Sequence, residues 1–144
     1  MSQALKYANQ AYESDEVPIA ALIVDPIKDK IIAHAINKME QLSNPLAHAE
    51  MNVINLAINQ TKLARLEDFD IYVTLEPCPM CAAAISLCRF RRLYFAAYDK
   101  KGGGVEHGPQ IFTSSSCFHK PEIYGGIMEE ESSMLLKKFF LNKR

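Results

Sequence analysis

The sequence predicts an α/β domain in which helices flank a mixed sheet. Three observations carry that prediction. Helix-like and strand-like segments alternate along the chain as α-β-β-α-β-α-β-(loop)-β-α. Apolar residues make up 49% and charged residues 23%, the balance of a globule with a substantial core. Its 144 residues suffice for one such core, and no linker, repeat or low-complexity tract divides them, so residues 1–144 read as a single domain.

Leu5, Ala8, Ala11 and Tyr12 recur at helical spacing, so a first amphipathic helix covers residues 2–13, and Ser14-Asp15-Glu16 breaks it. Val17 to Asp25 and Lys30 to Ile36 are strand-like runs, and Pro26-Ile27-Lys28-Asp29 between them is short enough for a hairpin. Asn44-Pro45 opens a helix, Asn as N-cap and Pro at the first helical position, that continues to Ile58. Ile71 to Leu75 is a strand closed by Glu76-Pro77. Pro77 then starts a helix filled by Ala82, Ala83, Ala84, Ile85 and Leu87. Leu93 to Tyr98 is the next strand. Residues 99–117, rich in Gly, Ser and Pro, form a long irregular stretch of the kind where functional loops concentrate. Ile123-Tyr124 is a short strand, and Glu129 to Leu141 is a helix with acids first and lysines last, matching its dipole.

A formal net charge of −1 excludes a generally basic, histone-like nucleic-acid binder. The charges are uneven, however. Residues 1–85 hold six basic and eleven acidic side chains, whereas 86–144 hold ten and six, so a local basic face is open to the second half. Arg89, Arg91, Arg92, Lys100 and Lys101 form one candidate phosphate-binding cluster, and Lys137, Lys138, Lys143 and Arg144 another; a solvated surface is the ordinary reading of each. The longest aliphatic run, Ile19 to Val24, is far too short to span a bilayer, and the first residues lack the layout of a signal peptide. Four cysteines are too few for a disulfide-built scaffold. The expected compartment is the cytoplasm.

The chemistry gathers at two predicted helix starts. His48 falls in the first turn of one. Cys78 and Cys81 fall in the first turn of another, on one face at i,i+3 spacing. Helical side chains lean toward the N-terminus, so all three can reach a point beyond the helix ends, where the dipoles favour thiolate. One His and two Cys supply three tetrahedral ligands, and a zinc ion so held keeps a fourth place for water, the mark of a catalytic site. Glu50, two residues from His48, is placed to take a proton from such a water, which yields hydrolysis.

Each residue alone has a plainer explanation. His48 could be a surface or capping histidine, Glu50 a solvated helix acid, and Cys78-Pro79-Met80-Cys81 a redox pair or half a zinc knuckle. Their conjunction carries the catalytic-zinc reading. Cys88 reads as core, Cys117 and His119 as loop residues, and His34 as a strand residue.

The H-x-E…P-C-x-x-C arrangement is the signature of zinc-dependent nucleobase deaminases. The chain resembles the cytidine deaminase-like superfamily over nearly its whole length. Within it, the closest resemblance is to the bacterial tRNA-specific adenosine deaminases, which form inosine at the wobble position. The resemblance rests on Glu16-Val17-Pro18-Ile19, Asn37, Pro45-Leu46-Ala47-His48-Ala49-Glu50, Tyr72 through Cys81, Asp99 and Phe139-Phe140. It implies a three-layer α/β/α fold around a five-stranded mixed sheet, one zinc per subunit, and a homodimer acting on a tRNA anticodon stem-loop. It implies His48, Cys78 and Cys81 as zinc ligands, Glu50 as the catalytic proton shuttle, Asn37 as a contact to the flipped base and Asp99 as a neighbour of its sugar. His48, where free-nucleoside cytidine deaminases carry Cys, argues against that branch. Two departures stand out. Ala20 replaces a usual Gly, a methyl expected to narrow the pocket, and Lys100-Lys101-Gly102-Gly103-Gly104-Val105-Glu106-His107 replaces the usual loop, leaving its RNA contacts open. The competing readings are a deaminase of a free base or nucleotide, such as guanine, and a non-catalytic zinc-binding module.

Overall fold

Ala4, Leu5, Ala8 and Ala11 form the buried stripe of the first helix, α1 (Ser2–Glu13), in a computed structural model that describes residues 1–144. The expected hairpin follows as β1 (Ala20–Asp25) and β2 (Lys30–Ile36), paired antiparallel. Asp25 Oδ1 closes the turn by accepting the N–H groups of Ile27 and Lys28. β1 also pairs antiparallel with β3 (Asp70–Leu75), whereas β3, β4 (Arg92–Ala97) and β5 (Glu122–Tyr124) run parallel. The result is a five-stranded mixed sheet in the order β2-β1-β3-β4-β5.

Strand alternation divides the core between two faces. Ala21, Ile23, Ile71, Val73, Leu93 and Phe95 pack with Val53 and Ile54 of α3 (Ala49–Thr61) and Ala82 and Ile85 of α4 (Pro79–Cys88) in a cluster of 18 buried residues. The intervening Ala20, Leu22 and Thr74 are buried on the opposite face, where α1 and α5 (Glu129–Asn142) pack. The Ser132 hydroxyl of α5 donates to the Thr74 carbonyl there. The expected three layers are present. No helix is long and apolar enough to cross a membrane.

Both predicted helix starts are displaced. Asn44 does not cap α3; its Oδ1 accepts the Leu46 N–H at 3.0 Å in a separate turn, and the helix begins at Ala49 with His48 as N-cap. Pro79, not Pro77, holds the first turn of α4, and Cys78 is its N-cap. A one-turn helix, α2 (Met39–Leu42), had no sequence signal and sits between β2 and α3. Between β4 and β5 the chain is irregular apart from a 3₁₀ turn at Ile111–Thr113. The carboxyl ends of β3 and β4 therefore open toward the N-termini of α3 and α4, the crevice where open α/β sheets bind ligands.

Candidate active site

His48 and Cys78 both have the extended backbone of an N-cap, with ψ of 151° and 169°, and neither side chain caps its own helix. Freed of that task, the two side chains turn to each other. His48 Nδ1 lies 3.6 Å from Sγ of Cys78 and 3.6 Å from Sγ of Cys81. All three donor atoms fall within 4.8 Å of one another. A tetrahedral zinc ion with Zn–N of about 2.0–2.1 Å and Zn–S of about 2.3 Å has an N···S edge of about 3.5 Å. The donor set fits zinc in chemistry and in spacing.

The electrostatics favour a thiolate. The Cys81 hydrogen bond, reinforced by His48, brings the Cys78 thiol down to about 4 against the opposing effect of burial. The same Cys78–Cys81 bond, together with burial, pushes Cys81 up, and His48 is raised chiefly by its bond to Cys78. Glu50 stands in the first turn of α3, only 4% exposed, and burial pushes its carboxyl up to about 7.

A cleft of ≈ 310 Å³ opens over this cluster, lined by His48, Glu50 and Cys78 and walled by Asn37, Met39 and Asp99 among others. Cys81 is fully buried behind it. All six residues singled out in the sequence thus meet at one place. Asn37 Nδ2 donates to Glu16 Oε2 at 3.0 Å. Asn37 Oδ1 accepts from no protein group, and no sealed polar side-chain atom lacks a partner, so that oxygen opens to the cleft. Asp99 Oδ1 accepts the N–H groups of Lys101 and Gly102 at 3.1 and 2.9 Å and shapes the turn after β4.

The roles of two residues in this arrangement, Glu16 and Glu76, escaped sequence reasoning. Glu16, 1% exposed, accepts the α2 N–H groups of Gln41 at 2.6 Å and Glu40 at 3.2 Å besides the Asn37 amide. Glu76 is buried, and burial alone would push its carboxyl up. Hydrogen bonds from His107 backbone and side chain and from the Asp99 and Glu106 N–H groups outweigh it and hold the carboxyl below its ordinary value. Both acids stand in stretches that carry the family resemblance, but beyond that the only signal was an acid beside an apolar run, and most such acids are solvated.

Other expectations are corrected. The first basic cluster does not exist as one face. Arg91 makes a bidentate pair with Asp70 at 2.8 and 2.7 Å, and Arg92 pairs with Glu122 at 2.8 Å, both at the amino ends of the parallel strands. Lys100 and Lys101 lie past the opposite ends, beside the cleft, and are exposed. In the tail cluster, Lys143 is paired with Asp15 at 2.6 Å and Lys138 sits 5.0 Å from the Tyr12 ring centre. Ala20 does not line the cleft; Ile19 does. Phe139 is buried and Phe140 exposed. Cys88 is core and His34 lies on β2, both as expected, with His34 stacked on Tyr7 at 3.9 Å.

Residues 1–97, which hold both helix starts, match the profile of the cytidine and deoxycytidylate deaminase zinc-binding region. The chain belongs to that deaminase family. It is 51% identical over 140 residues to a tRNA-specific adenosine deaminase of Rickettsia felis, covering 97% of each chain. It is 42% identical to that of Bacillus subtilis, covering all of this chain and 88% of the other. A solved structure from studies of A-to-I editing by tRNA:A34 deaminases superposes with a TM-score of 0.90 at 47% identity, covering 94% of this chain and 97% of that one. The guanine deaminase of Nitrosomonas europaea superposes at 0.78 with 19% identity, which shows a shared deaminase fold.

Proposed function

We propose that this deaminase converts adenosine to inosine at the wobble position of tRNA, with His48, Cys78 and Cys81 holding one zinc ion and Glu50 moving the protons. The observation that carries the reading is the convergence of three zinc-type donor atoms within 4.8 Å at the base of a cleft that Glu50 also lines. When bound, zinc supplies Lewis-acid activation of the water that attacks the base. Glu50 is buried, and burial raises its carboxyl to about 7, so it can accept one proton from the attacking water and pass it to a ring nitrogen, then take that oxygen's second proton and pass it to the departing amine. Asn37 Oδ1 faces the cleft as an acceptor for a donor on the flipped base, and Asp99 stands at the cleft wall where a sugar would lie. An anticodon loop offers its bases unpaired, so extrusion into a cleft of this size costs little.

The substrate assignment is supported by the identity, over nearly full length, to tRNA-specific adenosine deaminases. The chain acts as one catalytic domain. A homodimer is supported by the exposed apolar Leu87 and Phe118, 79% and 87% exposed, near the end of α4 and on the loop beside it. Four free cysteines fit a reducing cytoplasm. Incubation with total tRNA tests the function: inosine is expected at the wobble position, with little turnover of free adenosine. Efficient turnover of guanine or free adenosine, with no inosine in tRNA, would overturn it.

A further inference from the structure

The segment 99–107 contains no helix or strand, yet Asp99 and Gly102 form one wall of the cleft. What holds it is Glu76. That side chain has 0% exposure at the end of β3 and meets five donors. Oε1 accepts the N–H groups of Val105, Glu106 and His107 at 3.3, 2.8 and 2.9 Å. Oε2 accepts the Asp99 N–H at 3.0 Å and pairs with His107 Nδ1 at 2.8 Å, which carries the shared proton because a carboxylate only accepts. Three successive N–H groups aimed at one oxygen make a backbone anion nest, filled here by a side chain of the same molecule. The glycines permit the approach. A Cβ on Gly103 would stand 2.6 Å from Glu76 Oε1, and one on Gly104 would stand 2.6 Å from the Pro79 nitrogen at the start of α4.

We propose that Glu76 is a positioning residue for the deamination: its carboxylate fixes the 99–107 loop and so sets Asp99 and Gly102 against the substrate. The inference rests on the function proposed above for the identity of that substrate. Glu76→Gln tests it, because the amide keeps the shape but turns an NH2 toward N–H donors whichever way it rotates. Amide hydrogen exchange at Asp99 and at 105–107 is expected to accelerate at least about tenfold, with α3 and α4 unchanged. Bound zinc stays stoichiometric. KM for an anticodon stem-loop RNA rises roughly tenfold, the scale of one lost charge-assisted hydrogen bond, while kcat stays within about threefold. His107→Ala removes one donor of the five and leaves the nest, so a smaller KM rise is expected. It decides the matter if Glu76→Gln does not fold.

Unaltered exchange and KM in whichever variant folds would overturn the proposal. So would a loss of kcat at constant KM, which would place Glu76 in the chemistry, or a loss of zinc, which would make it a support of α4. A parent protein that deaminates no tRNA defeats the function proposed above, while the exchange measurement still decides whether Glu76 holds the loop.

Discussion

The floor and the walls of the cleft are built by different physics. On the floor, His48, Cys78 and Cys81 are carried by the first residues of two long helices, so their backbones are fixed by hydrogen bonds within each helix. The walls are a one-turn helix and an irregular loop, which have little internal bonding. Each wall is instead pinned by one buried carboxylate reached from elsewhere in the chain: Glu16 for Asn37 and α2, Glu76 for Asp99 and the loop. The floor is expected to tolerate loss of a wall anchor, whereas the walls are expected to lose their aim without one. Mutation should therefore separate chemistry from aim.

The largest effect is expected on the floor. Cys81→Ser removes one of the three proposed protein ligands, so zinc content should fall to background and activity with it, as measured by metal analysis of the purified protein. Retained stoichiometric zinc would remove Cys81 from the ligand set. A wall anchor comes next. Glu16→Gln turns an NH2 either toward the Gln41 N–H or toward the Glu40 N–H and the Asn37 amide, and a buried polar mismatch of this kind costs about 1–3 kcal/mol in denaturant unfolding. Zinc should stay bound in that variant, and loss of the metal would show that floor and walls are not separable.

The far ends of the strands provide a sharper contrast. Arg91→Ala leaves the buried Asp70 carboxylate without its bidentate partner and should lower the midpoint of denaturant unfolding, with no change in RNA binding. Lys100 and Lys101 are exposed beside the cleft, so replacing both with Ala should leave stability unchanged. The dependence of log affinity on log salt should then flatten by somewhat less than about two units of slope. An unaltered slope would take this loop out of the RNA surface.

The legibility of these regions in the sequence follows the same division. His48, Glu50, Cys78 and Cys81 lie within two short stretches, so the spacing by itself brings each pair together once two helix starts meet. Asn37 and Asp99 carried no signal of their own and were reached through the family resemblance. The helix starts were misread because Asn44-Pro45 and Pro77 are strong start signals, while His48 and Cys78 are poor N-caps that hold those positions for another purpose. The strands and outer helices were legible because each buries one periodic face. Arg91 and Arg92 looked free because their partners lie 21 and 30 residues away, across parallel strands whose register no local pattern reveals. Glu16 and Glu76 were opaque for the same reason: the backbone N–H groups and the side chains of Asn37 and His107 that they bind are distant in sequence.

The central claim is that Glu50 performs the proton transfers and takes no part in holding the metal. Glu50→Gln keeps the size of the side chain and removes its ability to accept and deliver a proton. Metal analysis and single-turnover deamination of an anticodon stem-loop by the purified variant test the claim together. Full zinc content, near-normal RNA binding and a rate lower by at least ~10²–10⁴-fold are expected. A variant that emerged without zinc, or with most of its activity, would contradict it.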